Sequence, residues 1–326
     1  MALSGAFKLF DADNDVVKNI KSTISSGIWS GGSGTLAAYY TQSAQSSSLG
    51  DYYYDIYKTS PLTDSEAEVQ FSVTYGHIHG SGSMGTKGAA TGNRSTAAIH
   101  AQLVNMLLGP NVERFTYAGD NTSDHFYAIS FKRSRMREKI DPGNWELHLD
   151  AGTPQVKLID DSGATTNPTS GIGGRVFNVV SGSIASGTAV TKTAAASQAG
   201  GGIGLFYPDV GLILLNGNQV DSLVGDITSI TSSNTLGGNV PQFFDSMVLG
   251  AKFQARREER LSSTHFFCRA GNKEFNFSNN PTFFTSSDGA FTQATFFKDP
   301  KTYITTVGLF NNSNELLAVA KLSQPV

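Results

Sequence analysis

Between Val69 and Tyr75 apolar and polar residues alternate without a break: Val69, Phe71, Val73 and Tyr75 fall on one side of an extended chain, and Gln70, Ser72 and Thr74 on the other. A period of two buries one face of a strand and wets the other, and no helix satisfies it. The same pattern, or a short wholly apolar run, returns at 126–131, 145–149, 156–159, 176–180, 205–207 and 211–215. Turn chemistry separates these runs: Pro142-Gly143, Gly152-Thr153-Pro154, Asp161-Ser162-Gly163 and Pro208-Asp209. Charged residues are only 16% of the chain, against about 25% in an ordinary globular protein, and there are 35 glycines. The expected fold is therefore mainly β with a few short helices (α+β), its antiparallel sheets joined by long Gly/Ser-rich loops.

Two helices are expected. Ser95 opens a stripe at Ile99, Leu103, Met106 and Leu107 that Gly109 and Pro110 end. A weaker stripe at Val16, Val17, Ile20 and Ile24 would start from Asp15 as its N-cap. Strands are expected near the C-terminus at 247–255 and 264–269, and 303–310 with 316–322 forms a hairpin through Asn311 to Asn314. The segments 31–34, 43–50, 80–92, 162–174 and 183–202 read as loops. The chain then divides into an N-terminal mixed domain (1–125), a β meander (126–182), a low-complexity linker (183–202) and a C-terminal β-rich domain (203–326).

Composition narrows the function classes. A net charge of −3 and a pI near 6.1 supply no basic field to attract phosphates, so no nucleic-acid partner is expected. No apolar run approaches the ~20 residues of a membrane helix, so no membrane span is expected. The N-terminus has neither a basic start nor a sustained apolar run and does not read as a secretory signal; folding in a cytoplasm is expected. Cys268 is the only cysteine, which rules out an intrachain disulfide and a cysteine zinc cage.

Each chemical motif meets a plainer reading. His77 and His79 would share a face if the strand from Val69 continued through them, the way a metal site begins, but no third ligand stands near. Simple hydrogen bonding is the preferred reading. Asp11, Asp13 and Asp15 start like a calcium loop, yet Val16 and Ser22 occupy the positions that need Gly and Glu. The glycines at 171–174 and 200–204 neither follow a strand nor open a helix, and no Gly-Lys-Ser/Thr occurs, so they do not cradle phosphate. Cys268 lies in an apolar stretch and no nucleophile elbow is present. No catalytic residue and no cofactor are expected; the chain reads as non-enzymatic.

What remains points to contacts. Lys132, Arg133, Arg135, Arg137 and Lys139 cluster, and Arg256, Arg257 and Arg260 flank Glu258 and Glu259, which suggests salt bridges to a partner. Aromatic contact candidates are Tyr52, Tyr53, Tyr54 and Tyr57, Trp145, and the 283–297 stretch beginning with Phe283 and Phe284. A receptor- or glycan-binding module ranks second, with Trp29 and Trp145 as the stacking candidates. An envelope hydrolase ranks third, because Glu66, Glu68 and Glu146 lie near β elements without the spacing of an acid pair.

The segments SSTHFFCRAGNKEFNFSNNPTF (262–283) and KDPKTYITTVGLFNNSNELLAVAKLSQP (298–325), with SRMREKIDPGNWELHL (134–149) and GLFYPDVGLILLNG (204–217) upstream, carry a resemblance. They resemble virion structural proteins of contractile-tailed bacteriophages (myoviruses) that infect cyanobacterial and other marine hosts. The likeness runs from Phe131 onward. It implies a tail or baseplate component in the virion, made in the host cytoplasm, with no catalytic residues to carry over. The implied partners are other tail or baseplate proteins and further copies of the chain itself. A sheet edge beside the last strand would be available to a neighbouring subunit.

Overall fold

The structure is a computed structural model that describes residues 8–11, 13–42, 52–82, 95–150, 155–163, 169–184, 202–223, 238–267, 269, 271, 281–285, 288–301 and 303–326. It is mainly β with a few short helices, as the periodicity predicts. The strands are β1 (Val16–Gly27), β2 (Thr35–Leu36), β3 (Tyr40–Gln42), β4 (Tyr53–Tyr57), β5 (Val69–His77), β6 (Thr116–Tyr117), β7 (Asn121–Thr122) and β8 (His125–Phe131). They continue with β9 (Lys139–Leu149), β10 (Val156–Asp160), β11 (Thr169–Gly171), β12 (Gly174–Ser181), β13 (Gly204–Tyr207), β14 (Leu212–Asn216), β15 (Phe253–Phe266), β16 (Thr306–Phe310) and β17 (Leu316–Lys321). The helices are α1 (Ser95–Leu107), α2 (Arg133–Met136), α3 (Gly217–Leu223) and α4 (Asn239–Gly250).

Thirteen of these strands make one sheet in the order β1-β15-β9-β10-β12-β13-β14-β8-β5-β4-β3, with β11 beside β12 and β2 beside β15. The ladders with a resolved register are all antiparallel. β2 pairs with β15 at Leu36 and Phe253, near one end of that order, while β3 pairs with β4 at the other. Only residues 37–39 lie between β2 and β3. Such a short connector forces the sheet to curl until its two ends meet.

Trp29 stands where the ends meet. Its ring lies 5.1 Å from Phe253 of β15, 5.7 Å from Phe71 of β5 and 5.8 Å from Phe131 of β8. The indole nitrogen donates to the Phe253 carbonyl at 3.0 Å, so a fully buried tryptophan keeps its polar atom bonded. The next amide, Ser30 N–H, donates to Gln70 Oε1 of β5 at 2.8 Å. One stretch of chain thus bonds to both ends of the ladder.

Alternation then sorts two cores. On β8, β13 and β14 the inward residues Tyr127, Ile129, Phe131, Phe206, Ile213 and Leu215 join the central cluster with Trp29. The outward ones, Phe126, Ala128, Leu205, Tyr207, Leu212 and Leu214, form a second cluster with Val104 and Leu107 of α1. Strands covered on both faces can be apolar at every position, which is why 212–215 reads as a continuous run. Helix α4 lies on the inner side: Phe243 stacks on Tyr127 at 4.9 Å, and Phe244 meets Tyr54 edge-on. Its last residue, Gly250, is so close to β9 that a Cβ there would come within 2.2 Å of the His148 carbonyl oxygen.

Several expectations need correction. Residues 16–24 form a strand, because Val16, Val17, Ile20, Thr23 and Ile24 are β-branched and the helical stripe they make is short. Residues 247–250 end α4, with Ala251 at φ 50° as its left-handed cap, and the strand starts only at Phe253. Pro142-Gly143 does not separate two strands. The register jumps from Trp145–Ala255 to Ile140–Arg257, so residues 141–144 bulge out of β9, and Asp160 holds the Gly143 amide at 2.8 Å.

The domain boundaries also differ from expectation. Contacts divide the chain into one unit of Ser22–Leu261 and another of Met1–Lys21 with Ser262–Val326. Position 125 is no boundary, since β5 pairs with β8 across it. β12 and β13, which flank 183–202, are neighbours in one sheet, so that segment connects strands rather than domains. Residues 185–201, like the loops 43–50 and 83–94, lie outside the described residues.

Replacing Trp29 removes the ring that joins the ends of the ladder. Trp29→Ala is expected to cost about 3–5 kcal/mol in urea unfolding, with Trp29→Phe costing clearly less.

Candidate functional site

Four of the basic residues singled out in the sequence, Arg135, Arg137, Lys139 and Arg257, meet acids of the same chain. Lys139 at the start of β9 pairs with Glu258 of β15 at 2.7 Å, both side chains largely buried. Arg137 and Arg257 share Glu259 at 2.9 and 3.0 Å, and Arg135 pairs with Glu68. Burial and the neighbouring Arg257 pull the Arg135 guanidinium below its ordinary value. These cations therefore hold β9, β15 and the 66–68 turn in register, which corrects the expectation of partner salt bridges for Arg135 and Arg137. Arg133 is different: it is exposed, and its guanidinium donates to the Asp209 carbonyl at 3.4 Å.

Beside these pairs lies a groove of about 290 Å³ lined by Glu138, Lys139, Arg175, Asp209 and Arg260. Arg175 grips Asp209 through two nitrogens at 2.7 and 3.1 Å, which holds the Asp209 carboxyl below the usual carboxylate range. Arg175–Asp209 is an ion pair within the groove's lining, while Lys139 turns to Glu258 outside it and Glu138 accepts the Arg260 amide.

A second polar cluster sits at the ends of β5 and β8. His77 and His125 are register partners, their rings parallel and 5.9 Å apart. His125 Nε2 bonds to Asp221 of α3 at 2.9 Å, and Tyr127 donates to the same carboxylate at 3.2 Å. The approach of α3 requires Gly217, because a Cβ there would fall 1.9 Å from the His125 ring. His77 Nδ1 accepts the His79 amide at 3.0 Å, so its neutral ring carries the proton on Nε2. That Nε2 is buried, with no hydrogen-bond partner among the described residues, and the buried Tyr75 hydroxyl and Asn239 amide lie beside each other.

The strand ends at His77, and His79 lies beyond it, exposed, so the pair does not continue along one strand face. Among the described residues no three His, Cys, Asp or Glu side chains are placed to hold a metal ion. Burial, with His125 adding to it, lowers the His77 pKa to about 4; burial and Arg114 do the same for His100, also to about 4.

The remaining candidates separate into core and surface. Trp145 is fully buried against Phe206 at 5.4 Å, and Trp29 is buried as described, so neither can stack on a sugar from the surface. Tyr52, Tyr53, Tyr54 and Tyr57 are half-buried, with Tyr54 turned in against Phe244. Glu146, the best placed of the three carboxylates weighed for hydrolysis, is buried. Burial pushes its pKa up, but bonds from Lys252 at 2.9 Å, His148 and the Ile184 amide at 2.8 Å outweigh that and hold it below the ordinary value. It is an ion-pair hub with the character of an anion, opposite to a raised-pKa general acid.

The C-terminal unit behaves otherwise. From Ser262 to Val326 not one described residue is buried. Phe283, Phe284, Phe291 and Phe296 pack edge-to-face and stacked with centroids 5.0 to 5.9 Å apart, only half-buried in one another. Phe297, Tyr303, Leu316, Leu317 and Val319 stand in the open. The hairpin turn is as expected: Asn311 Oδ1 accepts the Ser313 and Glu315 amides, and its amide group donates to Glu315 at 2.6 Å. Asp15, expected as a helix cap, instead bonds Arg269, whose Nε lies at 3.0 Å and whose hydrogen bond lowers the Asp15 pKa. Exposed aromatic and aliphatic groups in this number had no single signal in the sequence, because apolar strands read the same whether they pack on their own chain or another.

The two neutral histidines set a pH dependence. Their folded pKa of about 4 lies below the ordinary 6.5, so the unfolded chain binds protons first and stability falls as pH drops from about 6.5 to about 4. Thermal unfolding across that range is expected to show the loss, and His77→Gln with His100→Gln to flatten it.

Among the described residues no helix is long and apolar enough to cross a membrane. No protein-family model, curated protein or solved structure matches this chain.

Proposed function

We propose that this chain is a structural subunit of a contractile-tailed bacteriophage particle, placed in the tail or baseplate and acting through subunit contacts rather than catalysis. One observation carries the reading: the described residues 262–326 bury nothing although they include Phe266, Phe267, Phe297, Tyr303, Phe310 and Val319. A segment of that length without a core of its own gains order from a surface outside it. Two of the four segments that carry the likeness to virion proteins, 262–283 and 298–325, fall in this stretch. The 22–261 unit, by contrast, has a closed core and internally paired charges, which suits a rigid body that presents contacts. Neighbouring tail proteins and further copies of the chain are the partners this reading requires.

Electron cryo-microscopy of particles is expected to place the chain at fixed positions in the tail, with Leu317, Val319 and Tyr303 covered by neighbours. A chain absent from particles, or present with those residues facing solvent, overturns the reading. Leu317→Asp, at an exposed site, should change unfolding free energy by less than about 0.5 kcal/mol while lowering incorporation into particles.

A further inference from the structure

We propose that β17 pairs with itself: two copies of the chain join antiparallel along the free edge of this strand, with a two-fold axis at Ala318. The inference rests on the assembly reading and names one of its partners. An isolated two-stranded hairpin is marginal in water and needs a third strand or a packing surface. β16 and β17 form a two-stranded sheet of their own, and Leu316, Leu317 and Val319 are 53%, 67% and 59% exposed. Leu322 N–H donates to the Thr305 carbonyl at 2.9 Å, on the β16 side. By the two-residue period, Val319 and Lys321 turn their amides to the opposite edge, where no strand lies among the described residues.

Charge fixes the register. The strand reads Glu315-Leu316-Leu317-Ala318-Val319-Ala320-Lys321, charged only at its two ends and with opposite signs. Antiparallel pairing with Ala318 opposite its own copy sets Leu316 against Ala320, Leu317 against Val319 and Glu315 against Lys321, twice by symmetry. Parallel in-register pairing would set Glu against Glu and Lys against Lys, and a two-residue slip would leave all four charges unmatched. Glu315 is already oriented, since Asn311 Nδ2 holds its Oε2 at 2.6 Å and leaves the other oxygen open. The bulge between Leu309 and Phe310 leaves Leu317 without a register partner on β16, so its side chain is available to Val319 of the second copy.

The test uses the full chain in a Cys268→Ser background. Ala318→Cys is expected to form disulfide-linked dimers under mild oxidation, because position 318 meets itself at a closely spaced, non-hydrogen-bonded pair. Leu316→Cys, which would face Ala320, is expected not to. In sedimentation, Glu315→Lys or Lys321→Glu alone should weaken the dimer roughly tenfold or more, and the two together should restore it. A chain that stays monomeric at high concentration, equal cross-linking at 316 and 318, or no rescue by the double swap overturns self-pairing. None of these outcomes bears on whether the chain sits in the tail, which the particle images decide separately.

Discussion

The indole of Trp29 is the interaction on which the larger unit depends. A sheet of this many strands has two ends, and each end exposes unpaired amides and half of an apolar face. Trp29 sets its ring among Phe253, Phe71 and Phe131, while Ser30 reaches Gln70 and β2 pairs with β15. Closure turns one sheet face into an interior, and α4 fills it with Val240, Phe243 and Met247. Without closure those residues would have no core to enter. The two-sided burial of β8, β13 and β14 follows from the same event, since α1 then has a fixed convex surface to cover.

The chain's few charges obey the same economy. Lys139–Glu258, Arg175–Asp209 and the Glu146 hub join strands at places where the ladder bulges or changes partner. A buried pair of this kind adds less stability than its Coulomb attraction suggests, because both ions lose water. Its effect is on register: a slip of β15 against β9 would leave Lys139 and Glu258 buried and alone. At the ends of β5 and β8, His125 is tied to Asp221, while burial keeps its neighbour His77 neutral.

Strand content was legible in the sequence because alternation and turn residues are local signals: Val69 to Tyr75, the Pro208-Asp209 turn and the Asn311 hairpin turn all act within a few residues. α1 was legible for the same reason, with Gly109 at φ 95° ending it. The order of strands was not, since β5–β8 and β15–β2 are set by which apolar faces meet. Helix α4 was missed because its end, Met247 to Gly250, runs straight into a strand of similar composition. The basic cluster was visible, but the acids that answer it are remote in sequence: Glu68 precedes Arg135 by 67 positions and Glu259 follows Arg137 by 122. Trp145 looked like a contact residue because a large aromatic after a turn gives no sign of which way it faces.

The Trp29 to Phe253 bond spans 224 positions. During synthesis the ring and the inner faces of β5 and β8 emerge long before β15 exists, and the curl cannot shut until that strand leaves the ribosome. Closure is thus a late, non-local step, of the kind that folds slowly and leaves apolar surface waiting. The C-terminal segment follows the closing strand directly, so the stretch whose described residues are never buried appears only when the rest has everything it needs to become a finished body.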